Sequence, residues 1–402
     1  MKILQLHNKV PYPPKDGGSI GVWNFTLEFA KQGHEVTLLV MNTRKHYCDF
    51  NTIPEEYKKI INIIPVKVDA LITFSGLALN FLFSKKPYNA HRFISQDYEK
   101  KLVELLSKQK FDVILLEGLY LCPYIFVIKK YSDACVVFKA HNIEHEIWSR
   151  VVENEPSFFK KYYLRNLSHR IRRMEISYIN KADALSTFTD RDAHFFNTLG
   201  NRLPYHVSPA GIDISHLVPD LSKIKFPSLF FLGALDWAPN QEGLLWFIRE
   251  VWGNFHKKFP EIELEIAGRN APGWLVKSFQ HPGIKYMGEI SDAYAFMNSR
   301  SVMIVPLLSG SGMRIKIVEG MALGKVIITT SIGTEGINTT HNQDVIIADT
   351  VDQFQKQLEK AVINKSLCDT ISKNAIKFVK QNFNISEITK DLIGFFKKQT
   401  QK

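Results

Sequence analysis

Short apolar runs alternate with longer amphipathic stretches along most of the chain. This pattern predicts parallel strands flanked by helices. In the first half it predicts strands at Lys2–His7, Glu35–Val40, Val113–Glu117, Ala134–Ala140 and Ala184–Phe188. A helix over Ser19–Gln32 follows the first strand and ends at Gly33, a residue suited to the left-handed cap. Strand, glycine-bearing loop, helix and strand in that order make one Rossmann-type unit. A second series begins near Ser228, where SLFFLGAL reads as a strand and Gln241–Phe259 as an amphipathic helix stopped by Pro260. Further strands are predicted at Leu264–Gly268, Val302–Leu307, Val326–Thr330 and Val345–Ala348, with a helix from Met313 to Leu323 closed by Gly324. A polar, proline-punctuated stretch from Tyr205 to Phe226 separates the two series. A single core rarely grows past roughly 250–300 residues, so 402 residues imply two domains, placed at 1–210 and 211–384.

Composition supports an ordinary globular chain, with 45% apolar and 23% charged residues. Cys48, Cys122, Cys135 and Cys368 are scattered without zinc or thioredoxin spacing. They read as reduced, mostly buried thiols, which suits a cytoplasmic protein. The opening MKILQLHNKVPYPP is too short and polar in its apolar part for a secretory signal. The longest apolar stretch, Leu71–Phe83, is interrupted by Thr, Ser, Gly and Asn and falls short of the roughly 18 residues a spanning helix needs. The formal charge of +11 favours anionic partners such as phosphate ligands or acidic lipid surfaces. Basic residues concentrate at Phe158–Arg173, FFKKYYLRNLSHRIRR. That stretch reads either as a solvated helix face or as a contact with an anionic membrane. No nucleic-acid module accompanies it, so nucleic acid is not an expected partner.

In open parallel sheets, ligands bind beyond the carboxyl ends of the strands. Four loops there hold candidate chemistry. The strongest is LLSGSGMRIKIVEGMALG, Leu307–Gly324. Gly310 and Gly312 let the backbone approach a ligand, and the following helix start presents free N–H groups that favour phosphate. Arg314 and Lys316 oppose the dipole of a plain helix but suit a diphosphate. Glu319, two turns along, is placed to accept from a ribose diol. In the second loop, Gly17 and Gly18 in PPKDGGS stand at a strand-to-helix turn, where Asp16 or Ser19 can also act as plain caps. In the third, His141 in KAHNIEH stands where a strand becomes a loop, beside Asn142 and Glu144. In the fourth, Asp190 and Asp192 read as helix-capping residues in preference to a metal pair. No His/Cys cluster suggests a metal site.

Taken together these segments resemble retaining GT-B glycosyltransferases of glycosyltransferase family 4. The resemblance runs through GG at Gly17–Gly18, HNIE at His141–Glu144, VSPAGID at Val207–Asp213, FLGALDWAPNQEGLLWF at Phe230–Phe247, IAGR at Ile266–Arg269, YMGEISD at Tyr286–Asp292 and SGSGMRIKIVEGMALGKVIITTSIGTEGI. The LDWxPN stretch is similar to a subgroup common in bacterial surface-polysaccharide pathways. The resemblance implies an α/β GT-B fold, two Rossmann-like domains facing across a cleft, with the helix over 385–402 completing the first. It implies His141, Arg314 and Lys316 as catalytic residues. It implies Gly17, Gly18, Arg269, Gly288, Ile290, Gly310, Ser311, Gly312, Met313 and Glu319 as donor-binding residues. Ser311 stands where many relatives have the first glutamate of an E-x7-E motif. An Arg–Lys pair usual after the strand Phe230–Gly233 is replaced by Asp236, Trp237 and Asn240. The implied activity is transfer of a sugar from a UDP- or GDP-sugar to a glycan or lipid-linked acceptor, without metal or cofactor. It would take place in the cytoplasm, at the inner face of the membrane. A nucleotide-sugar epimerase and a non-catalytic nucleotide-sugar-binding subunit of an assembly complex are the alternatives.

Overall fold

The computed structural model describes residues 1–14, 17–310 and 312–401, and of Asn154 the backbone alone. The chain divides into two compact units, Met1–Gly211 with Ile385–Lys402, and Ile212–Asn384.

The first unit is built on seven parallel strands: β1 Lys2–His7, β2 Glu35–Thr43, β3 Ile61–Val68, β4 Val113–Glu117, β5 Cys135–Ala140, β6 Ala184–Thr187 and β7 Tyr205–Val207. Their order is β3-β2-β1-β4-β5-β6-β7. Strand addition reverses between β1 and β4, the place where such sheets bind ligands. β4 and β5 are buried along their whole length and β1 all but Lys2, as expected of parallel strands covered on both faces. The Gly17–Lys31 helix returns from β1 and ends at Gly33, whose φ is 81°. The Ile385–Thr400 helix packs on it: Gln32 donates to the Ser386 carbonyl at 2.9 Å, and the rings of Phe29 and Phe396 lie 6.2 Å apart.

The second unit repeats the plan with β8 Leu229–Leu232, β9 Leu264–Ala267, β10 Ile284–Gly288, β11 Val302–Val305, β12 Val326–Thr329 and β13 Ile346–Ile347. Their order is β10-β9-β8-β11-β12-β13, with the reversal between β8 and β11. The helix predicted from Gln241 starts earlier, at Ala238. It continues through a π-helical turn at Phe247–Trp252 and ends in Gly253–Lys258. Pro239 in its first turn explains the early start, because proline's missing N–H is not needed there.

The hydrophobic pattern did not announce β3, β7 and β10. All three stand at or beside a sheet edge. β3 carries Pro65 and buries fully only its end residues, and β10 has no fully buried residue. An edge strand has one side open to water and shows no continuous apolar run.

Candidate active site

Beside the reversal point of the second unit, the ends of β8, β9 and β10 crowd together. Gly268 lies so close to the Gly233 carbonyl that a Cβ would approach it to 1.9 Å. The Gly268 N–H donates to the Gly288 carbonyl at 2.9 Å, and Leu235 donates to the Arg269 carbonyl at 2.9 Å. Arg269 and Ile290 are half-buried just beyond β9 and β10. Beyond β11 the loop turns through Gly310 (φ 111°) and Gly312 (φ 79°), left-handed values that favour glycine. Ser311 lies outside the described residues.

The helix opens later than the pattern predicted, at Ile315, and runs to Ala322. Met313 thus belongs to the loop. Arg314 takes the cap position with φ −91° and ψ 87°. Its guanidinium is buried, donates to the Gly312 carbonyl, and has its centre 5.7 Å from the Trp237 ring. Lys316, in the first turn, donates to the Asn240 Oδ1 at 2.8 Å, and Asn240 donates in turn to the Ala234 carbonyl at 2.7 Å. The Lys316 ammonium also sits 4.5 Å from the centre of the Phe231 ring. Burial, and then the neighbouring Arg314 charge, push the Lys316 pKa down to about 7. Glu319 is half-buried and accepts from the Tyr294 hydroxyl at 3.0 Å. Burial raises its pKa against the pull of that bond. Asp236 turns to Asn270 instead, accepting at 3.0 Å.

At the reversal point of the first unit, the strand ends hold a buried polar group. Glu117 closes β4. Its Oε1 accepts from Gln5 at 3.0 Å and its Oε2 lies 2.7 Å from His141 Nε2. Burial would raise its pKa, but Lys139 and His141 hold it down to about 2. An ionised carboxylate only accepts, so Nε2 of His141 donates to Glu117. The His141 ring stacks on Phe188 with centroids 5.1 Å apart. Its neighbour His7 is buried, bonds the Lys9 carbonyl at 2.7 Å, and is held neutral, with a pKa pushed to about 3 by burial and then by His141. Lys139 is fully buried with no hydrogen-bond partner for its ammonium, which lies 3.2 Å from the centre of the Phe25 ring. Burial lowers its pKa to about 8 despite the attraction of Glu117. Gln5, His7, Glu117 and Lys139 were missed as site candidates because each lies inside a predicted strand. The signal available was a polar side chain at or near the carboxyl end of an otherwise apolar run.

The remaining candidates lie elsewhere in the first unit. Gly17 and Gly18 form the first turn of their helix rather than a preceding loop, with no atom within 4 Å of a Cβ at Gly17. Ser19 lies inside that helix, so it is not its cap, and Asp16 lies outside the described residues. Glu144 does not turn to His141. It accepts from the Tyr120 hydroxyl at 2.9 Å, and its own N–H donates to Glu175 at 3.0 Å. Asp190 opens a helix whose cap is Thr189, which accepts from the Asp192 N–H at 3.0 Å. Among the described residues no group of three His, Cys, Asp or Glu is placed to hold a metal ion, and no helix is long and apolar enough to cross a membrane.

Residues 226–364 match the family described as glycosyl transferases group 1. A relative over almost the full length is an uncharacterized 44.6 kDa protein in the cps region of Klebsiella pneumoniae. It is 24% identical, and the match covers 96% of this chain and 97% of that protein. Sucrose-phosphate synthase from Thermosynechococcus elongatus superposes with a TM-score of 0.72 at 13% identity over 99% of both chains. HepE from Anabaena, solved in complex with UDP-glucose, superposes at 0.67 and 13% identity over 99% of this chain and 100% of that one. A glycosyltransferase from Rickettsia africae superposes at 0.63 and 14% identity over 99% and 98%. These likenesses establish the fold. The chain is a glycosyltransferase of GT-B fold, two Rossmann-like domains of which the second carries the group 1 match.

Proposed function

We propose that the protein moves a sugar from a nucleoside diphosphate sugar, UDP- or GDP-linked, to a glycan or lipid-linked acceptor of a surface polysaccharide, with retention of configuration. The observation that carries this is the pairing of Arg314 and Lys316 at the strand–loop–helix junction after β11. Desolvation, and then the adjacent charge of buried Arg314, depress the Lys316 pKa, and a diphosphate would offset both while accepting from the helix-start amides. Glu319 is suited to a ribose diol, while the base would lie against Gly288 and Ile290. Arg269 adds a further cation, and the backbone at Gly310, Gly312 and Met313 lies against the donor. In the reaction the bond from the sugar's anomeric carbon to the β-phosphate oxygen breaks. The acceptor oxygen bonds to that carbon from the same face, and its proton passes to the departing diphosphate. The charge on that leaving group is met by Arg314, Lys316 and the loop amides, preorganised where charge develops. No metal ion or bound cofactor enters the step as drawn. His141, held by Glu117, orients a sugar hydroxyl through Nδ1, and Gly17 and Gly18 leave the start of their helix open to substrate. The HepE complex with UDP-glucose and the position of the Klebsiella relative in a cps region support the donor and the pathway class. A reduced, cytoplasmic protein at the inner membrane face fits four free, buried cysteines.

The test is a thermal-shift screen of nucleoside diphosphates and their sugars. Ligand at 100 times its dissociation constant should add about 2.7 kcal/mol of stability. Glu319→Ala should remove most of that gain, and a gain left whole would refute the site. Interconversion of a nucleotide sugar without acceptor would point to an epimerase instead. Binding without transfer or hydrolysis would point to a silent subunit.

A further inference from the structure

The stretch Leu71–Phe83 was too short to span a bilayer, and the structure gives it another form. Phe74–Phe83 folds as a helix, capped by the Thr73 hydroxyl, which accepts from the Gly76 N–H. Most of its large side chains are turned to solvent, with Phe74 88% and Phe83 81% exposed. It lies beside the basic helix Phe158–Ile179. Arg170 donates to the carbonyls of Asn80 and Phe81 at 3.0 and 2.8 Å, and the Phe81 ring is 5.7 Å from that of Tyr163. Near this junction the second helix exposes Phe158, Phe159 (85%) and Tyr162. Two elements about 80 residues apart in sequence thus present one cluster of large apolar side chains, which folded surfaces rarely leave to water without a use.

Charge identifies what covers it. Residues 71–95 contain three Lys or Arg and residues 156–173 contain six, with no Asp or Glu in either stretch. Lys160 is met by Glu155 at 2.5 Å, while Lys85, Lys86, Arg165 and Arg172 are exposed. Helical spacing puts Phe158, Tyr162, Arg165 and Arg172 on one face. Aromatic side chains ringed by cations are the surface that lies in the headgroup region of an anionic bilayer. A second copy is disfavoured, because a two-fold contact sets the same patch against itself and so positive against positive.

We infer that the helices Phe74–Phe83 and Phe158–Ile179 form a face that inserts shallowly into an anionic lipid surface, with Phe74, Phe83, Phe158 and Phe159 as the inserted side chains. The inference names the element behind the inner-membrane placement proposed above, and its test is independent of any transfer reaction. Co-flotation of the full chain is measured with vesicles of phosphatidylglycerol and phosphatidylcholine, and with phosphatidylcholine alone. The wild type should float with the anionic vesicles only. The triple variant Phe74→Ser, Phe83→Ser, Phe159→Ser should bind at least about tenfold more weakly, since the apolar contribution is lost. It should melt unchanged by circular dichroism, because these side chains are exposed. Lys85→Gln with Lys86→Gln should cost about fivefold for each charge removed, and raised salt should act in the same direction. Absence of flotation on anionic vesicles would overturn the inference. So would a triple variant that floats like wild type, and so would concentration-dependent dimerisation in light scattering that the triple variant abolishes.

Discussion

Lys316 offers the sharpest test of how the second unit holds an anion. With no ligand its pKa stands at about 7, below the ordinary lysine value, because the group is desolvated and faces Arg314. A bound diphosphate adds negative charge beside the ammonium and raises the pKa, so binding takes up a proton. The Lys316 contribution to affinity is complete below pH 7 and is lost as pH rises from there toward the pKa of the complex. With a pKa near 7 the ammonium is about nine-tenths protonated at pH 6 and one-tenth at pH 8, so affinity should fall about tenfold across that interval. A nucleotide sugar is the right ligand, since its diphosphate diester does not itself titrate in this range. Replacing the side chain by Met keeps its stem over Phe231 and removes the charge-assisted hydrogen bond, worth about 1.5–3 kcal/mol. Lys316→Met should therefore weaken binding at pH 6 by about tenfold to a hundredfold and flatten the pH profile. Isothermal titration calorimetry in two buffers of different ionisation enthalpy measures affinity and proton uptake together. An affinity unchanged from pH 6 to pH 8 in the wild type, or a Met variant that keeps the slope, would refute the reasoning.

In the first unit, Glu117→Gln keeps a partner for Gln5 but leaves Lys139 buried without its counter-charge. Urea unfolding at pH 7 should show a loss of about 3–5 kcal/mol. Because the Glu117 pKa is depressed to about 2, its stabilisation is whole above the ordinary carboxylate range. The gap to the variant should therefore close as pH falls toward 2, and a gap that persists would count against the pairing. Glu144 runs the other way: burial first, then Glu175, raise its pKa to about 7 against the Tyr120 bond. Ionising it costs stability as pH rises above the carboxylate range, so Glu144→Gln should stabilise the protein at pH 8 and not at pH 4. Equal melting temperatures at pH 8 would contradict this. Gly268→Ala sets a Cβ 1.9 Å from the Gly233 carbonyl. It should cost about 1–3 kcal/mol through forced backbone movement and weaken nucleotide-sugar binding, and a variant with wild-type stability would show that the strand ends part freely.

How much was legible depended on where the partners of each residue lie. β1 and β4 were read to the residue, because a strand buried on both faces is an uninterrupted apolar run. β3 and β10 were not, because an edge strand with Pro65, or with exposed Lys285 and Tyr286, lacks that run. The Leu307–Gly324 junction was readable as strand, loop and helix because its glycines and charges are contiguous. Its true helix start at Ile315 was not, because Met313 and Arg314 have side chains as compatible with a helix as with a loop. Trp237 and Asn240 were noticed only as replacements for missing cations. Their bonds and contacts to Arg314 and Lys316 span about 76 residues and have no local mark.

The alternation of apolar and amphipathic stretches by itself determined an α/β chain with parallel sheets, and the spacing of glycines and basic residues singled out the loop after β11. Local pattern suffices for that, since each signal depends on neighbours a few positions away. Strand order, the union of Gln5, Glu117 and His141 across more than 100 residues, and the pairing of the Phe74–Phe83 helix with the basic helix were decided only in three dimensions. So were the shifted pKa values of Lys139 and Lys316. Desolvation and Coulomb interactions depend on distance through space, and that distance is set by which strands lie side by side.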